Sequence, residues 1–185
     1  MQDSFYRKSE IKRLGFKSIG ENVKISRFAR FYGIERISIG NNVRIDDFCI
    51  LSGEIELRNN IHISAYCALY GAGGIILNDY SGLSPKCVLL SATDDFSGKF
   101  LIGPQNLPDH TNVIIGRVLI EKYCQLGTNT IVLPNVTIEE GSVTGAMSLV
   151  KKSLPAWKIY GGNPLKYIRE RERDLLRLID KSTNE

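Results

Sequence analysis

An aliphatic residue returns at every sixth position through most of this chain, a period that belongs to neither an amphipathic helix nor an alternating strand. One unbroken run is Ile39, Ile45, Leu51, Leu57, Ile63, Leu69 and Ile75. Others are Ile19, Ile25, Phe31 and Ile37, then Leu77, Leu83 and Leu89, and finally Ile120, Leu126, Val132, Ile138, Thr144 and Val150. A fixed short period is the mark of a solenoid, so each hexad reads as one short strand plus a corner, and three hexads as one coil of a parallel β-helix. Each side of a coil offers one inward residue, and stacking the coils at roughly 4.8 Å converts those residues into continuous apolar columns. Gly20, Gly40 and Gly127 directly follow an aliphatic, and Asn41, Asn42, Asn59 and Asn60 sit where the chain must turn, as residues tolerant of left-handed geometry should. The register slips by two between Ile37 and Ile39 and again between Ile75 and Leu77, which predicts two widened corners.

The four cysteines obey the same phase. Cys49, Cys67, Cys87 and Cys124 each lie four residues after an inward aliphatic, at Ile45, Ile63, Leu83 and Ile120. Three of them are expected to stack on one side of the prism. One sulfur per coil, with no CxxC-type pair, does not make a metal site; it suits a small buried side chain filling a corner. Reduced thiols fit a cytoplasmic protein. A hydrophobic content of 43% in 185 residues supports one substantial core. The net charge of +4 is small and its cations gather towards the two ends, with no basic stripe of interleaved aromatics, so no nucleic-acid partner is expected. No apolar stretch reaches the length of a membrane span, and no apolar leader opens the chain.

The organisation follows from where the hexads fail. Residues 1–17 read as an N-terminal cap, with a short helix over 4–14 ended by Gly15. Residues 18–153 are the β-helix, interrupted over 91–116 by a segment rich in Pro, Gly, Asp and Asn. A long excursion from a regular solenoid is usually functional. Residues 154–185 make a connection and a C-terminal helix, expected to start with Asn163 as N-cap and Pro164 in its first turn. Ile168, Leu175, Leu176 and Ile179 would form its apolar stripe, and Glu170 to Arg173 its charged face.

The tail LGTNTIVLPNVTIEEGSVTGAMSLVKKSLPAWKIYGGNPLKYIRERE closely resembles the C-terminal half of hexapeptide-repeat acetyltransferases that act on sugars, such as galactoside and maltose acetyltransferases. The resemblance rests on the VLPxVxI coil at Val132 to Ile138, a GAxSxVxK-like segment at Gly145 to Lys152, and GxPxKxIxxR at Gly162 to Arg171. The segments NNVRIDDFCILSG and SATDDFSG look more like a bacterial subgroup that acetylates sugars, some nucleotide-linked and amino-bearing, for surface polysaccharides. This resemblance implies an all-β fold, a left-handed parallel β-helix with short terminal helices. It also implies a homotrimer that binds acetyl-CoA between subunits and transfers the acetyl group to an amino or hydroxyl group of a sugar, without a metal. Handedness comes from the family alone, since parallel crossovers are usually right-handed. Lys151, Lys152, Lys166 and Arg169 fall where the family holds the coenzyme phosphates, which need cations. Thr128 and Ala146 match its pantetheine contacts. Gln125 stands where many relatives carry a tryptophan beside the coenzyme, or is an ordinary solvated strand residue.

Catalysis is where the sequence departs from the galactoside-type pattern. The general-base histidine expected at the start of the loop is replaced by Thr93, Asp94 and Asp95. Three readings remain open. His62, near a corner, has an ordinary pKa of about 6.5 that suits proton transfer at neutral pH. Asp94 or Asp95 stands in the histidine's place; an ordinary aspartate, with a reference pKa of about 4, is a poor base for a hydroxyl but suits the orientation of a substrate ammonium. His110, inside the insertion, is a substrate contact. A zinc enzyme of the carbonic anhydrase type would need three histidines, and the chain has two. A catalytically silent scaffold that keeps coenzyme or sugar binding is the alternative from a different functional class.

Overall fold

The structure is a computed structural model that describes residues 4–182. Residues 1–3 of the expected cap and 183–185 of the expected C-terminal helix lie outside the described residues. Short parallel strands stack in three columns, the faces of a left-handed β-helix. Face I comprises Ser18–Ile19, Ile37–Ile39, the ends of Ile50–Leu57 and Ala68–Leu77, then Val118–Ile120 and Thr137–Ile138. Face II comprises Lys24–Ile25, Val43–Ile45, Ile61–Ile63, Gly82–Leu83, Gln125–Leu126, Val143–Thr144 and Lys158–Gly161. Face III comprises Arg30–Tyr32, the starts of Ile50–Leu57 and Ala68–Leu77, then Val88–Leu90, Ile131–Val132 and Leu149–Val150.

The hexad residues fill the prism. Ile25, Ile45, Ile63, Leu83 and Leu126 are fully buried along face II, as are Leu51, Leu69, Leu89, Val132 and Val150 along face III. Thr144 stands in the face II column without an unsatisfied polar group. Its hydroxyl bonds the Thr130 hydroxyl at 3.0 Å and accepts from the Gly127 N–H at 3.3 Å, which is what a buried hydroxyl requires. Both widened corners lie between faces III and I. The first turns through Gly33, at φ +67°, and a short 3₁₀ turn over Ile34–Arg36. The second runs through Gly71–Gly74, with Gly74 at φ +89°. The additional residues tuck Ile37 and Ile75 into the core.

The second widened corner has a further use, because the insertion roots there. Ser91 is fully buried. Its hydroxyl donates to the Tyr70 carbonyl and accepts from the Gly73 N–H, both at 2.8 Å, and its own carbonyl accepts from the Gly116 N–H at 2.9 Å. Beyond this root the insertion is ordered by an antiparallel pair, Ala92–Asp94 against Val113–Ile115.

Cys49, Cys67 and Cys87 stack between faces II and III, and Cys124 occupies the corner between faces I and II. Each sulfhydryl points at a carbonyl of the next coil, on Ser64, Ser84, Gly127 and Glu139, at 3.1 to 3.2 Å. All four are free and buried. Burial pushes the Cys124 thiol up to about 12, and Cys67 is held protonated by the Cys49 and Cys87 thiols on either side and by burial. Alkylation requires an accessible thiolate. Iodoacetamide at pH 8 should therefore leave all four cysteines unlabelled in the native protein and label them all in denaturant, read by intact mass; rapid native labelling of any one would contradict the packing role.

The two ends differ from expectation. The N-terminal helix is a single turn, Lys8–Ile11, whose Ile11 packs on the first coil, and Phe5 bridges to Ser26. At the other end no helix begins at Pro164. Lys158–Gly161 continues face II, the cis Asn163–Pro164 bond lies in a turn, and Lys166–Glu170 returns as an antiparallel strand; the helix is Leu175–Ser182. Ile168 is exposed on that strand rather than part of a helical stripe. The hairpin covers the open edge that the last coil would otherwise present. Arg171 fastens it, donating to the Tyr123 and Gly141 carbonyls at 2.6 and 2.8 Å. Among the described residues no helix is long and apolar enough to cross a membrane.

Candidate active site

The residues expected to bind and react fall on two edges of the prism. The edge between faces II and III carries Thr128 and Ala146 on successive coils, with Ser84, which no sequence motif singled out, one coil below them; backbone bonds from Asn129 N to the Pro85 carbonyl at 3.1 Å and from Met147 N to the Thr128 carbonyl at 2.8 Å join the three coils. The coils approach closely here. A Cβ on Gly127 would lie 2.6 Å from the Gly145 carbonyl carbon and 2.7 Å from Ala146 N, so glycine leaves a flat backbone shelf. Lys166 pairs with Gly161 directly above this shelf, and Arg169 lies further along the same strand, opposite Ile159. Gln125 projects outward from face II beside Ser84, and its Nε2 donates to Ser84 Oγ at 3.1 Å.

The edge between faces III and I carries the rest. The strand bearing Asp94 leaves face III after Leu90 and re-enters face I at Val118, while Lys151 and Lys152 follow the last face III strand, both exposed. One chain therefore holds Gln125, Thr128, Ala146 and Lys166 together. It does not bring Lys151, Lys152 or Asp94 to them, because face III intervenes.

The neighbouring aspartates have different surroundings. Asp95 is engaged in the loop: its carboxylate accepts from Ser97 N at 2.7 Å and from Asn112 Nδ2 at 2.8 Å. The Ser97 bond first, and the Asn112 bond after it, hold this carboxyl below the usual aspartate range. Among the described residues the Asp94 carboxylate makes no hydrogen bond or ion pair, although the residue is only partly exposed. A free carboxylate beside an engaged one is the member available to a ligand.

The histidines are separated from both aspartates. His62 lies on face II one coil below Gly82, half-exposed, with Nε2 2.7 Å from Asp46, which also pairs with Arg44 at 2.6 Å. Burial of Asp46 opposes its ionisation, but the bonds from His62 and then Arg44 outweigh it and lower its pKa. His110 ends an exposed turn at Pro108–His110 in the insertion. Among the described residues no group of His, Cys, Asp or Glu is arranged to hold a metal.

Ser84 escaped notice in the sequence. A serine in a Ser-Pro-Lys corner carries no local signal, and its link to Gln125 spans the insertion.

No protein-family model matches the chain. It is 43% identical over 172 residues to a dTDP-4-amino-4,6-dideoxy-D-glucose acyltransferase of Escherichia coli, covering 91% of this chain and 90% of that protein. It superposes on AntD, an N-acyltransferase from Bacillus cereus, with a TM-score of 0.97 and 44% identity. The match covers 99% of both chains for the D94A variant bound to dTDP and coenzyme A. The figures are similar for the S84C variant bound to dTDP-4-amino-4,6-dideoxyglucose and coenzyme A. This chain carries an aspartate and a serine at those two numbers. A hexapeptide-repeat acetyltransferase of Vibrio cholerae shares the fold, with a TM-score of 0.59 at 18% identity over 90% of this chain. The chain belongs to the hexapeptide-repeat, acyl-CoA-dependent sugar acyltransferases, in the family that includes the Escherichia coli enzyme.

Proposed function

We propose that the protein transfers an acyl group from an acyl-CoA to the amino group of a dTDP-linked 4-amino-4,6-dideoxyhexose. The observation that carries this reading is the unpaired Asp94 carboxylate at the root of the insertion, in a chain 43% identical to an acyltransferase named for that sugar nucleotide. In the reaction the neutral amine attacks the thioester carbonyl, a C–N bond forms, the C–S bond breaks, and the coenzyme leaves as thiolate. One nitrogen proton goes to the thiolate or to solvent. A neutral amine is already nucleophilic, so orientation against the thioester supplies most of what the protein must add. Asp94 is the group that holds the amine, and Ser84 faces the thioester. His62 is tied into the Arg44–Asp46 row and His110 sits on an outer turn, so neither is needed as a base.

The active form is a homotrimer, and each site lies between two copies. One copy contributes the edge with Ser84, Gln125, Thr128, Ala146 and Lys166, and Arg169 beyond it. Its neighbour contributes the edge with Asp94, Lys151 and Lys152. Apolar side chains left in solvent support this assembly: Val113, Ile114 and Ile115 on the insertion, and the stacked Phe48 and Tyr66 on the other edge, with ring centroids 5.0 Å apart. Contiguous exposed apolar surface marks an interface. The place of work is the cytoplasm, which fits four unpaired thiols, and the product serves surface polysaccharide.

The test is thiol release from acetyl-CoA and 3-hydroxybutyryl-CoA with dTDP-4-amino-4,6-dideoxyglucose and, separately, dTDP-glucose. Turnover is expected with the amino sugar alone. Acylation of dTDP-glucose but not of the amino sugar would overturn the amine assignment.

A further inference from the structure

We infer that Gln125 is a positioning residue that turns the Ser84 hydroxyl into a hydrogen-bond donor for the thioester oxygen; this rests on the acyl-transfer reading above. A serine hydroxyl has one proton and two acceptor lone pairs. Gln125 Nε2 donates to Ser84 Oγ at 3.1 Å and also reaches the Leu126 carbonyl at 3.4 Å. Because a carbonyl only accepts, the second contact fixes which end of the amide is NH₂. Ser84 Oγ is therefore an acceptor towards Gln125. Among the described residues its own proton has no acceptor, so a partly buried donor stands unspent and aimed away from Gln125.

Gly82 makes the arrangement possible. The Gln125 amide lies flat across it, and a Cβ there would stand 2.4 Å from Gln125 Oε1. A Cβ at position 82 would force Oε1, and with it the amide plane, to shift. The coil below places His62 beside Gly82 and the coil above places Val143 beside Gln125, so Gln125 is the side chain on this column that reaches Ser84.

During acyl transfer the carbonyl π electrons move to oxygen as the C–N bond forms, and return as the C–S bond breaks. A donor oriented before that charge develops is worth far more than one that must reorient. Ser84 supplies the donor, and Gln125 keeps it from rotating back towards the protein. This reassigns Gln125, which by position alone is either a coenzyme contact or an ordinary solvated strand residue.

Kinetics of Gln125→Glu, Gly82→Ala, Ser84→Ala and the double variant Gln125→Glu/Ser84→Ala test the inference, with wild-type turnover as the reference. A glutamate is isosteric but accepts, so it takes the Ser84 proton and reverses the bond. Gln125→Glu should lower kcat on the order of 10²-fold, leave KM for the acyl-CoA in place, and add nothing further in the Ser84→Ala background. Gly82→Ala should reproduce the kcat loss without touching either polar residue. Additive losses in the double variant, or a rise in acyl-CoA KM with kcat retained, would overturn the inference while leaving the proposed function intact. Absence of wild-type turnover with every amino-sugar nucleotide would instead remove the function and this inference with it.

Discussion

Asp94→Ala should lower kcat/KM for the amino-sugar nucleotide on the order of 10²-fold or more, the scale on which losing the group that orients a reacting amine against its thioester is felt. Asp95→Ala should act differently although it is adjacent. Asp95 satisfies Ser97 N and Asn112 Nδ2 within the loop, so its loss loosens the segment and raises KM while the chemical step survives. The pH dependence separates the two further. The Asp95 carboxyl is lowered by its hydrogen bonds, so its contribution to loop order is present above the unfolded value of about 3.9 and is lost as pH falls through the lower folded value. An acid limb in kcat/KM above pH 5 therefore does not report Asp95. Steady-state thiol release across pH for both variants makes the comparison. If Asp94→Ala keeps its kcat while Asp95→Ala abolishes turnover, the assignment of the two carboxylates is reversed.

The division between these aspartates marks the limit of what the chain discloses before it folds. The hexad phase is a property of side chains stacked on their own kind, so Ile25 to Val150, the cysteine column and both widened corners follow from counting alone. What the phase cannot carry is contact between elements that do not share it. Ile168, Leu175, Leu176 and Ile179 are spaced like a helical face, yet Lys166–Glu170 is a strand because the edge of Lys158–Gly161 was open and pairing satisfied it. Tertiary hydrogen bonding outweighs a local preference worth only tenths of a kcal/mol per residue. The insertion looked irregular from its Pro, Gly and Asp content, although Val113, Ile114 and Ile115 are β-branched and favour a strand. Thr128, Ala146 and the cations were legible as motif positions, which the family resemblance alone ties to the coenzyme. Ser84 was not, since its partner Gln125 becomes a neighbour only when the insertion is looped out and two coils stack.

The same looping out makes Gly73 a sensitive backbone position near the site. A Cβ on Gly73 would stand 2.7 Å from the Ser91 carbonyl oxygen and 3.0 Å from Gly116 N, both backbone atoms at the root of the insertion, and 2.7 Å from Ile115 Cγ2. Neither backbone atom yields without moving the strand pair that carries Asp94. Gly73→Ala therefore combines overpacking, about 1–3 kcal/mol, with loss of the buried bond from Gly73 N to the Ser91 hydroxyl, about 1–3 kcal/mol. At about 2–4 °C per kcal/mol for a chain of this size, the melting temperature should fall by about 4–24 °C. Ser91→Ala separates the two contributions, because it removes the hydroxyl and leaves the space. It should show the smaller melting shift and retain most of kcat, whereas Gly73→Ala should lose kcat as the root tilts Asp94 away from the amine. Calorimetry and thiol release on both variants decide the matter. A Gly73→Ala protein that melts and turns over like wild type would mean that the insertion is not anchored at this corner.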